Sequence, residues 1–396
     1  MDKTLLVSLI SKQTIPNILA ILHFKPNYLL FVSTQEMQQK KKKEAILNTL
    51  KQRGFHWERD EVLIVDQDSI SDCMDKLQHW IENTNLHAYE TIVNITGGTK
   101  MMSIAAYEVF KKLPCQIIYI PIPRNEFFII HSKGKGNMPP TKIDIRLNVV
   151  EYLTAYGINI PKKAQQKSLE NGQKAIKRFD KTKFIYKHYL ELKPFLKAIC
   201  SELRRLKKIK KGKEIEFSFV FCGSLTDTLK RLLSDWKFNY EVDNDKLKIK
   251  CFINSDLHHY FIGGWLEEYV YNILHDLKPQ GITDVQLNLQ LISSQGAQNE
   301  FDVMFTYENA LYFVECKSLD QEHDKEQDIL YKVGALQTDF GLRVKSFLAT
   351  QTTNIFDQNG EIKDHLKRRA RQMKTTILPL AQINDLKERF IGEIFK

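Results

Sequence analysis

Paired cysteines, long apolar runs and the familiar nucleotide fingerprints are all missing from this chain of 396 residues. Its six cysteines are scattered with no C-x-x-C pair, which leaves no basis for a zinc site or a disulfide scaffold. Reduced thiols fit a cytoplasmic protein. No apolar run reaches the roughly 20 residues that cross a bilayer. The stretch Leu5–Ile10 is too short for a secretory leader and reads as a strand. Neither G-x-x-x-x-G-K-[ST] nor G-x-G-x-x-G occurs. Internal repeats and low-complexity segments are also absent.

Positive charge is present in excess. The net charge is +10, which suits an anionic partner. Lys40–Lys43 reads as a solvated face at a helix start. The span from Lys162 to Lys213 is denser in Lys and Arg and carries Phe184, Tyr186 and Tyr189. It reads either as a nucleic-acid channel or as a solubilising helical surface.

The most informative acids lie near the carboxyl end. Glu300–Tyr307 and Leu311–Lys317 are rich in Val, Phe and Tyr and read as paired strands. Strand side chains alternate faces, so Glu315 and Lys317 point one way and Cys316 the other. If Asn309–Ala310 form the turn, Glu308 faces Leu311 and Asp302 faces Lys317. Asp302, Glu315 and Lys317 then share a face. Two acids and a lysine on a buried face are costly unless a cation and hydrogen bonds compensate; the alternative is a surface hairpin with an ordinary Glu–Lys pair. Mg²⁺ or Mn²⁺ suits carboxylate oxygens. Upstream, Gly263–Gly264 opens a helix whose apolar stripe is Leu266, Tyr269, Val270, Ile273 and Leu274. Glu267 borders that stripe and can face the sheet, whereas Glu268 is less well placed. His258 and His259 read as a surface loop. A helix over 326–340 would offer Lys332 and Gln337 either as phosphate or metal-water contacts or as solvated helix residues.

The amino-terminal third alternates strand and helix, as a doubly wound, mostly parallel sheet does. Three polar loops follow its strands: Ser11, Gln13, Thr14 and Asn17 after the first, Ser33 and Thr34 after the second, and Asn94, Thr96, Gly97, Gly98, Thr99 and Lys100 at the third. Open α/β sheets bind ligands beyond the carboxyl ends of strands. Glycine there admits a close approach, and a helix N-terminus favours phosphate. The alternative is a plain strand-to-helix turn.

These loops resemble those of the CARF domain, the CRISPR-associated Rossmann fold. Gly264-Trp265-Leu266-Glu267 with the acid hairpin resembles the PD-(D/E)xK domain of single-CARF CRISPR ancillary nucleases, with Phe301-Asp302 in place of Pro-Asp. The resemblance implies a Rossmann-like CARF domain over residues 1–143 and a restriction-endonuclease-like domain over 257–396. Between them, 144–256 reads as a small basic α/β linker, with a winged helix as the alternative. It further implies a homodimer that binds a cyclic oligoadenylate, most often cyclic tetra-adenylate, and then cleaves DNA or RNA. Asp302, Glu315 and Glu267 would hold the metal, and Lys317 would assist the nucleophile. The rival readings are a messenger-controlled regulator that binds nucleic acid without cutting it, and an enzyme that degrades its own messenger. No membrane association is expected.

Overall fold

Continuous apolar strands, each followed by a helix, build the first of three sheets. The computed structural model describes residues 3–122, 124–133, 138–206, 209–210, 212–244, 246–292, 298–319, 340–383 and 385–395. Strands β1 (Lys3–Leu9), β2 (Tyr28–Ser33), β3 (Arg59–Ile64), β4 (Tyr89–Asn94) and β5 (Cys115–Tyr119) are parallel. β6 (Glu126–Ser132) and β7 (Thr141–Lys142) complete the order β3-β2-β1-β4-β5-β6-β7 with antiparallel pairings. β2 is buried along its whole length, as a strand covered on both faces must be. One face packs Leu5, Val7 and Leu9 against Val93, Met102 and Phe110. The other packs Leu6 and Phe31 against Ile18 and Ile46. The covering helices are α1 (Ile15–Phe24), α2 (Gln35–Gln39), α3 (Lys42–Gln52), α4 (Ile70–Glu82) and α5 (Lys100–Phe110).

The apolar pattern from Ile143 to Tyr156 reads as one helix ending near Gly157, but the helix formed is shorter. α6 spans Val149–Ala155 because Asn148 and Glu151 form a capping box at its start, which fixes the first turn there. The basic middle then folds as helices α7 (Lys162–Lys177), α8 (Phe179–Lys187) and α9 (Tyr189–Arg205). A three-stranded antiparallel sheet follows, β8 (Glu214–Phe221), β9 (Asn239–Asp243) and β10 (Lys246–Asn254), with α10 (Asp227–Asp235) inserted after β8. The aromatic residues of α8 and α9 are not a stacking platform. Tyr189 is buried against Trp265, Tyr186 stacks on Tyr269 at 3.9 Å, and Phe184 packs on the same core.

The third sheet has the order β11-β12-β13-β14-β15. β11 (Ile282–Ile292), β12 (Gln298–Tyr307) and β13 (Ala310–Lys317) are antiparallel, whereas β13, β14 (Val344–Thr350) and β15 (Thr375–Pro379) run parallel. Helices α11 (Ser255–His259), α12 (Trp265–His275), α13 (Asp364–Gln372) and α14 (Leu386–Ile394) accompany it.

The β12–β13 hairpin corrects the expected register by two residues. Tyr307 pairs with Ala310, and Glu308 and Asn309 form the turn at φ 48° and 57°. Two left-handed residues are what a tight twisted hairpin needs. The rest of the chain holds this unusual pair in place. Asn309 donates to the Ile145 carbonyl at 2.8 Å and accepts from the Leu147 N–H, and Arg146 pairs with Glu308 at 2.8 Å. A shift of two preserves side-chain faces, so the shared face of Asp302, Glu315 and Lys317 survives.

These contacts also join the first and third sheets directly. A continuous apolar core runs from Ile18 and Ile46 through Tyr152 to Leu289, Phe301, Phe313 and Phe340.

Candidate nuclease and ligand sites

α12 carries two adjacent acids to different places. Glu268 is buried and meets Arg178, which also donates to Asp256 at 2.7 Å and lies over the Tyr260 ring. Glu267 turns toward the third sheet. Its Oε2 accepts from Asn288 Nδ2 of β11 at 2.5 Å and lies 3.3 Å from His259 Nε2. Across the hairpin, Asp302 accepts the Cys316 N–H at 2.7 Å, and Lys317 Nζ lies 3.1 Å from Glu315 Oε1.

The electrostatics link these four side chains. Burial raises the Asp302 pKa well above the ordinary carboxylate value, and the charges of Glu315 and Glu267 push it further. Burial also works against ionised Glu267, but hydrogen bonds from His259 and Asn288 and the Lys317 charge outweigh it and lower its pKa. Ionising all three acids would therefore place more buried negative charge here than the lysine offsets. That surplus and the all-oxygen acid donors fit a hard divalent cation. Among the described residues no three His, Cys, Asp or Glu side chains form a ready-made cage. Mg²⁺ commonly takes one or two carboxylates and completes its shell with water and phosphate, so two acids at a time suffice.

The structure places Glu267, Asp302, Glu315 and Lys317 within electrostatic reach of one another. Lys332 and Gln337 lie outside the described residues. His259 and Asn288 were not legible as site residues. His259 ends α11 instead of lying in a surface loop, while His258 faces the Leu203 carbonyl at 3.0 Å. Cys316 is buried, as the strand alternation implies.

At the other end, β1 and β4 are neighbours from which the strand order runs in opposite directions. Their carboxyl ends therefore form the switch-point crevice where such sheets bind ligands. The β1 and β4 loops touch there. A Cβ on Gly97 would lie 2.1 Å from the Leu9 carbonyl oxygen, so only glycine fits that crossing. Thr99 caps α5 by accepting the Met102 N–H and donates to the Gln67 carbonyl. Gly98 takes φ 73°, and Lys100 is exposed at the start of α5.

Several polar residues of these loops build the crevice from within. Thr14 donates to Ala155 O at 2.5 Å, Asn17 to Ser8 Oγ and Leu9 O at 2.8 Å, and Asn94 accepts from Thr96. All three are buried. Ser33 is buried and accepts from Gln38, and Thr34 caps α2. Ser11 accepts the Gln13 N–H. Gln13 Oε1 accepts both the Tyr156 hydroxyl at 2.9 Å and the Leu342 N–H at 3.2 Å. It thus connects the crevice loop to the segment leading into β14.

Fold and sites define a Rossmann-type ligand-sensing domain fused to a nuclease domain. The Card1 CARF domain model matches residues 5–152, and the Card1-like endonuclease domain model matches residues 255–391. The chain belongs to the CRISPR-associated CARF-domain nucleases. No curated protein matches it. Protein VC1899 from Vibrio cholerae shares the fold with a TM-score of 0.74 and 19% identity, over 99% of this chain and 98% of that one. Can2 from Sulfobacillus thermosulfidooxidans, solved with cyclic tetra-adenylate, gives 0.68 and 20% over 98% of each chain. A type III CRISPR defence DNA nuclease activated by cyclic oligoadenylate gives 0.51 and 15%, over 94% of this chain and 52% of that chain.

Proposed function

We propose that this chain is an endonuclease of type III CRISPR defence, switched on by a cyclic oligoadenylate bound at the β1–β4 crevice. Cyclic tetra-adenylate is the first activator to test, since Can2 was solved with it. The observation that carries the cutting activity is the convergence of Glu267, Asp302, Glu315 and Lys317 from one helix and one hairpin. Asp302, Glu315 and Glu267 would hold Mg²⁺ or Mn²⁺. A bound cation of this kind supplies Lewis acidity toward the phosphate and acidifies a water. Lys317, held at 3.1 Å from Glu315, orients the attacking water and offsets charge that builds on the phosphate. The substrate is DNA, RNA or both, because each presents the same phosphodiester.

On the ligand side, Ser11, Thr96, the Gly97–Gly98 backbone and Lys100 meet the polyanion, while Thr14, Asn17 and Asn94 hold the loops. A homodimer would place two crevices against one ring. Met101 and Ile104, 42% and 51% exposed on α5 beside the crevice, support a second copy there. No helix among the described residues is long and apolar enough to cross a membrane. The six free thiols support a cytoplasmic setting. The working boundaries remain 1–143, 144–256 and 257–396, and signal passes through the Gln13, Tyr156 and Leu342 junction.

The test incubates the protein with Mn²⁺, a panel of cyclic oligoadenylates, and labelled DNA and RNA in single- and double-stranded form. Ring-dependent cleavage is the expected outcome. Ring-dependent binding without cleavage would identify a regulator. Linear product from the ring would identify messenger degradation.

A further inference from the structure

The turn that precedes α12 is built around one imidazole. A π-helical turn, Tyr260–Gly264, joins α11 to α12, and inside it Gly263 takes φ 145° and ψ −23°. π-Turns and strained backbone concentrate at functional sites. Gly264 is bare for a visible reason. A Cβ there would lie 2.8 Å from His259 Cδ2 and 2.9 Å from His259 Nε2, so the ring rests on the glycine backbone. The same turn packs on the end of the β13 strand, where a Cβ on Gly263 would lie 3.1 Å from Ser318 Oγ.

Held this way, His259 Nε2 lies 3.3 Å from Glu267 Oε2. Asn288 Nδ2 donates to that same oxygen. Asn288 is buried and sits at φ 52° in the middle of β11, a left-handed conformation that Asn tolerates better than most residues. Its Oδ1 accepts from Asn171 of α7 at 3.3 Å. Two irregular backbones, one before α12 and one inside β11, thus converge on one carboxylate oxygen.

We propose that His259 is a positioning residue of the nuclease site. By donating from Nε2 alongside Asn288, it fixes the orientation in which Glu267 presents its carboxylate to Asp302 and Glu315. This rests on the nuclease reading above. Removing such an outer partner typically costs about 10–100-fold in metal affinity or activity.

The test compares His259→Ala, His259→Gln and Gly264→Ala in the full chain, with Glu315→Ala as reference. Cleavage, Mn²⁺ affinity from the free-ion spin-resonance signal, ring binding and thermal melting are measured on each. His259→Ala is expected to lose about 10–100-fold in Mn²⁺ affinity or kcat while ring binding is kept. His259→Gln, which replaces the donating nitrogen, restores most of that loss. Gly264→Ala displaces the ring and reproduces it. The melting curves and the Gln variant keep the comparison decisive if an Ala variant folds poorly. Wild-type Mn²⁺ affinity and cleavage in His259→Ala, or equal loss in the Ala and Gln variants, would overturn the positioning role. Undiminished cleavage by Glu315→Ala would instead overturn the nuclease site itself.

Discussion

Replacing Arg178 with Met should unseat the helix that carries Glu267. The Arg178 side chain is 14% exposed and bridges two acids, Glu268 at 6% and Asp256 at 31%. It donates from Nε to Glu268 at 2.6 Å and from Nη1 to Asp256 at 2.7 Å, and its plane covers Tyr260 at 4.7 Å. Met retains most of the stem's packing, so the loss is mainly electrostatic. It strands the Glu268 carboxylate in the core between α8 and α12. Breaking a buried pair by removing one partner costs about 3–5 kcal/mol. In a unit of roughly 150–250 residues that corresponds to a melting shift of about 6–20 °C. Calorimetry and denaturant unfolding check the size. Adding Glu268→Gln removes the stranded charge and should recover a large part of the loss. A variant that melts within a degree of the parent, or a double variant no better than the single, would refute the reasoning.

The junction at Gln13 makes a second prediction. Gln13→Ala removes two neutral hydrogen bonds, each worth about 1 kcal/mol net, so coupling falls by roughly 1–2 kcal/mol. The ratio of cleavage with and without saturating ring should drop about 5–30-fold, and an unchanged ratio would exclude this path. Gly97→Ala forces a Cβ onto the Leu9 carbonyl at 2.1 Å, so ring binding and melting temperature should both fall, as calorimetry and a ring titration would show. Burial pushes the Cys73 and Cys115 thiols up to about 11 and Cys251 up to about 12, whereas Cys222 is exposed. Brief alkylation followed by peptide mapping should therefore mark Cys222 first.

Much of this architecture was legible in the chain, and particular residues show why. β1, β2 and β4 announce themselves as apolar runs that end in polar loops. The face shared by Asp302, Glu315 and Lys317 was legible because strand parity survives a two-residue slip. The slip itself was not, because Glu308 and Asn309 form the turn through contacts with Asn125, Arg146 and Leu147, more than a hundred residues away. The span that holds α7 reads in sequence as a nucleic-acid channel or a solubilising helical surface, without a packed face. The buried face of α7 is small, Ala164, Ser168, Gly172 and Ala175, and small residues leave no hydrophobic period. The sequence offers Asn94, Thr14 and Asn17 as ligand contacts, and nothing local reveals the internal bonds that Asn94, the Thr14 hydroxyl and the Asn17 amide nitrogen also make. His259 and Asn288 stayed hidden for a related reason. Each depends on an irregular backbone that only the packed helix and sheet impose.

Cleavage by wild type, Glu315→Ala and Lys317→Ala across a cyclic tetra-adenylate titration in Mn²⁺ tests the central claim most directly. Ring binding is measured in the same samples. The account predicts that the ring binds all three proteins equally and that only wild type cuts, in proportion to ring occupancy. Ring-independent cutting by wild type, or full cutting by either variant, would contradict it.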